Sequence, residues 1–163
     1  MSETDRLLRN NEAYARSFAA SGLPSAPATR VAIVACMDAR LDPARALGLE
    51  EGDAHVIRNA GGVVTDDVIR SLAISQHLLG TLEIALLHHT DCGMQTFTDD
   101  EFARRLERAT GERPPWAARS FADLETDVRD SLRLVRDSPF IPHTERVRGF
   151  VYEVETGRVR EVE

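Results

Sequence analysis

The chain has 163 residues, of which 42% are hydrophobic and 29% charged, and its formal net charge at pH 7 is −7. This length suits one domain with its own hydrophobic core, and an acidic chain without clustered Lys or Arg argues against binding to nucleic-acid phosphates or to an anionic membrane. No apolar run is as long as a membrane span, and the polar start MSETDRLLRNNEAYAR lacks the apolar core of a secretory signal, so we expect a cytoplasmic protein.

The first elements along the chain are a helix and a linker. Residues 3–20 carry apolar side chains at rough helical spacing, and the segment 22–30, rich in Pro, Ser and Ala, separates them from the first strand. We therefore expect residues 1–29 to form an N-terminal helical arm with its linker. Such an arm can pack on another surface, including that of a second protomer.

Four short apolar runs predict strands: 31–35, 54–57, 82–88 and 148–154. The first and third are nearly all apolar, which is typical of strands that are buried on both faces of a parallel sheet. The last of the four is predicted to close the sheet, and only a polar tail is expected after it. 

Three segments between these strands predict helices: 65–80, 99–110 and 121–137. Thr65 is a suitable N-cap for the first of them, and Gly80 is a suitable residue to end it. The alternation of strands and helices predicts one α/β domain over residues 1–163, with a central, mostly parallel β-sheet flanked by helices.

Two thiols and an imidazole follow two of the predicted strands. Cys36 comes directly after the run 31–35, and His89 and Cys92 form an H-x-x-C pair after the run 82–88. Since ligands gather at the carboxyl ends of parallel strands, we expect these side chains at the same edge of the sheet. Two thiolates and an imidazole disfavour Mg²⁺ and Ca²⁺ and favour Zn²⁺, one ion per chain. The alternative is that both cysteines are small buried hydrophobic residues.

An acidic and a basic residue accompany the first cysteine. Asp38 and Arg40 lie at alternating positions after Cys36, so their side chains project to the same side if the chain stays extended. The guanidinium fork of Arg40 can then hold the Asp38 carboxylate in one orientation. A surface ion pair worth about 0–1 kcal/mol is the alternative for either charge alone. The position of both charges between a cysteine and a strand end favours a functional pair.

These motifs together resemble those of the β-class carbonic anhydrases. Residues 36–40 read CMDAR, which fits C-x-D-x-R, and residues 89–92 read HTDC, which fits H-x-x-C. The segment 51–62 between them, EGDAHVIRNAGG, is also similar to the strand and turn that the family has there. The whole chain looks closest to a short, actinobacterial-type branch of the family.

The resemblance implies a β-carbonic anhydrase-like fold and a zinc lyase that reversibly hydrates CO₂ to bicarbonate and a proton. Three residues would bind the zinc ion: Cys36, His89 and Cys92. Asp38 and Arg40 would form the catalytic dyad beside it, and Asn59 and Gly93 would shape the pocket. The resemblance also implies a homodimer or a dimer of dimers in which the N-terminal helix packs across the partner.

Departures from the family pattern leave alternatives open. Gly93-Met94 stands where the family often has Gly-Gly, and residues 63–72 differ from the plant-like sequence that lines the substrate pocket. A hydrolase of carbonyl sulfide or carbon disulfide on the same scaffold is therefore the first alternative. A non-catalytic zinc or redox module is the second, although a closed zinc site has no use for an arginine beside the carboxylate. A nucleotide site is excluded because the chain has no Gly-rich phosphate loop.

Histidines outside the H-x-x-C pair are candidates for moving the proton that hydration releases. They are His55, His77, His88 and His143. His88 is adjacent to a predicted ligand, but strand alternation predicts that it points away from the metal. None of the four is assigned as a proton shuttle.

Overall fold

A computed structural model describes residues 2–163, in which five strands form one sheet in the order β2-β1-β3-β4-β5. The strands are β1 Val31–Cys36, β2 Ala54–Asn59, β3 Glu83–His89, β4 Val147–Tyr152 and β5 Val159–Val162. Strands β1 to β4 are parallel, and β5 pairs antiparallel with β4. The predicted α/β fold with a central, mostly parallel sheet is confirmed.

The helices are α1 Glu3–Arg16, α2 Pro43–Leu47, α3 Asp66–Leu79, α4 Asp99–Thr110 and α5 Leu124–Arg136. The predicted ends of α3 are confirmed. Thr65 caps its start by accepting a hydrogen bond from the backbone N–H of Val68, and Gly80 ends it in the left-handed conformation with φ 74°. Short 3₁₀ turns follow β2 and the H-x-x-C pair, at Ala60–Gly62 and Gly93–Gln95.

Other helix ends differ from the predicted ones for local reasons. Helix α1 ends at Arg16 rather than at residue 20, because the hydroxyl and N–H of Ser17 bond back to the Tyr14 carbonyl. Helix α5 begins at Leu124 rather than at residue 121, because the Asp123 side chain accepts the N–H of Thr126 and acts as the N-cap.

Two elements were not predicted. The short helix α2 has its N-cap at Asp42 and Pro43 in its first turn, and both residues are signals of a helix start. The helix was missed because its five residues are too few to show helical spacing. The expected polar tail was wrong, because residues 159–162 form β5 and cover the outer edge of β4. Only Val162 of that strand is buried, so the apolar alternation that marks a strand is nearly absent.

Helices α3 and α5 cover one face of the sheet. Their apolar side chains, among them Leu72 and Val128, pack with strand residues such as Val34 and Leu86. A smaller apolar cluster on the other face contains Ile33 and Leu87 together with Cys36, Cys92 and Met94. The carboxyl ends of β1 and β3 therefore open onto this second cluster. Within residues 2–163, no helix is long and apolar enough to cross a membrane.

Candidate metal centre

The sequence-predicted metal ligands lie together at one edge of the sheet. Strands β1 and β3 are neighbours, with Ala35 opposite Leu87, so Cys36 and His89 leave the sheet side by side. Cys92 follows in the turn after β3. One ligand atom from each of Cys36, His89 and Cys92 lies within 4.8 Å of the other two, and all three residues are buried. The two cysteines are free thiols.

The ring of His89 is oriented by a backbone hydrogen bond. Its Nδ1 lies 2.8 Å from the Thr90 carbonyl oxygen, which can only accept, so Nδ1 carries the proton and Nε2 carries a lone pair. That Nε2 is buried and has no hydrogen-bond partner among the described residues. A buried imidazole lone pair beside two sulfurs is a donor set that fits zinc, and it is costly without a partner.

The sulfur of Cys36 is the more acidic of the two. A hydrogen bond from the Cys92 thiol, followed by hydrogen bonds from the backbone N–H groups of Asp38 and Gly61, lowers the pKa of Cys36 against the opposing effect of burial. The same contact with Cys36 raises the pKa of Cys92, so the two sulfurs share one proton. A divalent cation would displace that proton, because thiolates are the form that binds metal.

Asp38 and Arg40 form the pair that was expected, but through a turn rather than an extended chain. The Asp38 carboxylate accepts the backbone N–H of Arg40 at 2.8 Å, and its carbonyl accepts the N–H of Leu41, so the chain turns at this point. The Arg40 guanidinium donates Nε to Oδ1 at 3.0 Å and Nη2 to Oδ2 at 2.8 Å. The condition of an extended chain is therefore not met, since an aspartate side chain readily bonds the N–H two residues on, and the pair forms within the turn instead.

The carboxylate of Asp38 lies beside the metal position and stays ionised. Its Oδ2 is 3.7 Å from Nε2 of His89. Hydrogen bonds from the Arg40 guanidinium hold the pKa of Asp38 well below its usual range. An ionised carboxylate only accepts hydrogen bonds, so Asp38 can orient an O–H group that is bound at the metal position.

Two charged residues of the site were missed by the sequence analysis. Asp91 accepts Arg40 Nη1 at 2.6 Å through its carboxylate and Arg40 Nη2 at 2.9 Å through its carbonyl. Arg58, at the end of β2, donates to three backbone carbonyls of the turn that follows Cys36. Neither contact could be predicted from the local sequence, because each joins residues that are far apart in the chain.

Of the two residues expected to shape the pocket, only Asn59 lines a groove in the structure. Asn59 donates Nδ2 to the Val63 carbonyl at 2.9 Å, and its Oδ1 is buried without a partner among the described residues. Asn59 also lines a mostly apolar groove of about 610 Å³, together with Met37, Met94 and Trp116. Gly93 begins the 3₁₀ turn after Cys92, and no atom lies within 4 Å of where its Cβ would be.

His88 points away from the metal position, as alternation along β3 predicts. Its side chain is fully buried, and its Nε2 lies 2.7 Å from Oδ2 of Asp127 on α5. The pair ties the end of β3 to a helix on the face opposite the cluster that contains the cysteines.

Comparisons with known proteins agree on one family. The family model described as carbonic anhydrase matches residues 31–159. The chain is 59% identical over 162 residues to β-carbonic anhydrase 1 of Mycobacterium tuberculosis, covering 99% of each chain. It is 36% identical over 157 residues to carbon disulfide hydrolase of Acidianus sp., covering 80% of this chain and 76% of that protein. The crystal structure of carbonic anhydrase from Streptococcus mutans matches with a TM-score of 0.95 and 52% identity, covering 100% of this chain and 99% of that one.

Proposed function

The chain belongs to the β-class carbonic anhydrase family, and on that basis we propose that Cys36, His89 and Cys92 bind one zinc ion. The protein is a zinc lyase, and its reaction is the reversible hydration of CO₂ to bicarbonate and a proton. The observation that carries the ligand assignment is Nε2 of His89, a buried lone pair that faces two cysteines and has no other partner among the described residues.

The catalytic dyad in this proposal is Asp38 and Arg40. When bound, zinc lowers the pKa of a water ligand so that hydroxide is available near neutral pH. Asp38, ionised and beside Nε2 of His89, would accept a hydrogen bond from an O–H group held at this position and so orient that group toward the carbon of CO₂. Its contribution is orientation, which lowers the barrier without requiring tighter substrate binding.

Arg40 determines what else Asp38 can do. A carboxylate this close to the metal position can also ligate zinc and fill the fourth position, which would exclude water. Both Asp38 oxygens are held by Arg40, at 3.0 Å for Oδ1 and 2.8 Å for Oδ2. Arg40 thus keeps the Asp38 carboxylate as a hydrogen-bond acceptor rather than a metal ligand. A zinc site with such a free fourth position is catalytic, whereas a site with four protein ligands is structural.

The alternatives have weaker support. The carbon disulfide hydrolase of Acidianus sp. is less similar and covers less of the chain than the mycobacterial carbonic anhydrase. A non-catalytic zinc module would need Asp38 as its fourth protein ligand, whereas both oxygens of that carboxylate are held by Arg40. CO₂ and bicarbonate are therefore the substrates that we propose.

We further propose that the protein is cytoplasmic and forms a homodimer or a dimer of dimers. Cys36 and Cys92 are free thiols, the state that the reducing cytoplasm preserves. Helix α1 has no buried residues, and its large apolar side chains are exposed: Leu7, Leu8, Tyr14 and, just beyond the helix, Phe18. An arm of this kind gains stability only by packing on another surface. In this proposal, residues 1–29 form the arm and the remainder completes a single domain over 1–163.

Stopped-flow CO₂ hydration on zinc-loaded protein at a pH of about 8.5 tests the proposed site, because this pH lies above the expected pKa of the bound water. Zinc is counted in the same samples by native mass spectrometry. We expect turnover with one zinc per chain, and neither zinc nor turnover in Cys92→Ala. Zinc-loaded protein without turnover would contradict the assignment, and carbonyl sulfide would then be the substrate to assay.

A further inference from the structure

We propose that Arg58 is a positioning residue for the metal centre, which holds the turn of residues 36–41 in the shape that the ligand and the dyad require. This inference rests on the proposed function, because it assigns that turn to catalysis. Arg58 does not touch the metal position and acts only through the backbone of the turn.

The contacts of Arg58 are concentrated on one short segment. Its Nε and Nη2 donate to the Cys36 carbonyl at 3.0 and 2.9 Å. The same Nη2 donates to the carbonyls of Asp38 at 2.8 Å and Leu41 at 2.7 Å. A single guanidinium thus donates hydrogen bonds to three backbone carbonyls. They belong to a proposed zinc ligand, to the proposed catalytic aspartate and to the residue that ends the turn.

This convergence of carbonyls explains why the position suits an arginine. The oxygens carry partial negative charges that repel one another, and a planar cation with several donors offsets that repulsion. Elsewhere along residues 2–163, arginines such as Arg40 and Arg70 pair with carboxylates, but Arg58 forms no ion pair with any described acidic residue. Its charge is therefore committed to the backbone of the turn.

Residues next to Arg58 in sequence also contact the start of the turn. A Cβ at Gly62 would lie 2.9 Å from the backbone nitrogen of Cys36, which leaves no room between the two backbones. The Met37 N–H bonds the Asn59 carbonyl at 2.8 Å, next to Arg58 in β2. Strand β2 thus contributes to holding the turn that carries Asp38, on the far side of β1 from β3, which carries His89.

The test compares Arg58→Ala with Arg70→Ala. Arg70 is a matched control, since its ion pair is with Asp67 one helical turn away on the exposed surface of α3. A misplacement of about 1 Å can cost about 100-fold in rate, so we expect Arg58→Ala to lose about 10- to 100-fold in kcat with a smaller change in KM. Arg70→Ala should keep its kcat. Free guanidinium at a non-denaturing concentration should restore part of the rate in Arg58→Ala alone.

A second readout does not depend on turnover. In Co²⁺-loaded protein, the thiolate-to-cobalt and ligand-field absorption bands report the geometry of the ligand set. We expect these bands to shift in Arg58→Ala, to return toward the wild-type spectrum with guanidinium, and to stay unchanged in Arg70→Ala.

Each outcome decides the role of Arg58. A wild-type kcat with an unchanged cobalt spectrum in Arg58→Ala would overturn it, and so would a loss that guanidinium leaves unchanged. If Arg58→Ala does not fold, Arg58→Lys replaces it, because an ammonium has no second nitrogen to take the place of Nε on the Cys36 carbonyl. A wild-type kcat and spectrum in Arg58→Lys would overturn the inference. If wild-type protein itself fails to hydrate CO₂, the proposed function fails, while the cobalt spectra still test Arg58.

Discussion

Arg40 connects the two loops that carry the proposed zinc ligands. It holds both oxygens of Asp38 in the turn after Cys36, and it also binds the carboxylate and carbonyl of Asp91, which precedes Cys92. Ion pairs of a solvent-exposed guanidinium contribute little to stability, so the value of the arrangement lies in geometry. The Asp38–Arg40 pair was predicted from residue type and proximity in sequence, whereas Asp91, the second partner of Arg40, could be found only in the folded structure.

Replacing Arg40 by alanine separates metal binding from catalysis. We expect Arg40→Ala to keep one zinc per chain and to lose most of its turnover, because Asp38 is then free to move toward the metal position. CO₂ hydration and zinc content are measured on the same sample. Asp91→Asn is the milder companion, since it keeps the Asp38–Arg40 pair and should lose less. Wild-type turnover in Arg40→Ala would show that Arg40 is not needed to keep Asp38 from ligating the metal.

Gly62 is required by its neighbour as well as by its own conformation. Its φ is 70°, and a Cβ there would lie 2.9 Å from the Cys36 nitrogen, whereas Gly80, with φ 74°, has no atom within 4 Å of its Cβ position. Both Gly62→Ala and Gly80→Ala should lose about 1–2 kcal/mol of unfolding free energy from the left-handed conformation. Only Gly62→Ala should also bind zinc more weakly in competition with a chelator. Equal zinc affinity in the two variants would refute the close approach.

At the scale of elements, helix α5 packs directly on the backbone of β4. Gly149 lies inside that strand, where a side chain would normally contribute to packing. A Cβ at Gly149 would lie 2.4 Å from Val128 and 3.1 Å from Leu132, both on α5. The glycine is thus needed for close helix–sheet packing, a use of glycine in strands that the sequence alone leaves indistinguishable from a bulge.

Adding one methyl group at this contact should be destabilising. We expect Gly149→Ala to lower the free energy of unfolding by about 1–3 kcal/mol, because α5 must shift away from the sheet. Chemical denaturation measures the change. Gly93→Ala is the control, since no atom lies within 4 Å of that Cβ position. Equal stability of Gly149→Ala and wild type would show that α5 adjusts without cost.

At the scale of the whole molecule, helix α1 buries none of its residues, although the Tyr14 hydroxyl donates a hydrogen bond to Glu51. It begins with a capping box formed by Ser2 and Asp5, so its local sequence supports the helix. Its apolar residues nevertheless remain largely exposed, Leu7 at 57% and Phe18 at 47%. A stable amphipathic helix that buries nothing within its own chain favours a second copy as its partner.

Removing this apolar surface should dissociate the proposed dimer. We expect the double variant Leu7→Gln, Phe18→Gln to sediment as a monomer at micromolar concentration, while Arg9→Gln, Arg16→Gln should sediment like the wild type. Both pairs introduce the same residue, so only the apolar positions differ. A wild-type protein that is itself a monomer, or a Leu7, Phe18 variant that remains associated, would contradict the role of the arm.

The sequence by itself determined the parts that depend on local pattern. Apolar runs indicated β1 to β4, capping residues located both ends of α3, and the placement of Cys36, His89 and Cys92 after two buried strands indicated a metal cluster at one sheet edge. Such features are readable because periodicity, capping and ligand chemistry are properties of short segments.

Tertiary structure decided the contacts that join distant segments. Edge strand β5 forms because β4 offers it a hydrogen-bonding partner, although its own sequence lacks alternation. Arg58 belongs to the site because it donates to the backbone carbonyls of the turn after Cys36, and Asp91 belongs to it because its carboxylate accepts from Arg40 of that turn. These contacts form only when strands β2, β1 and β3 lie side by side, so they depend on the order of the strands in the sheet.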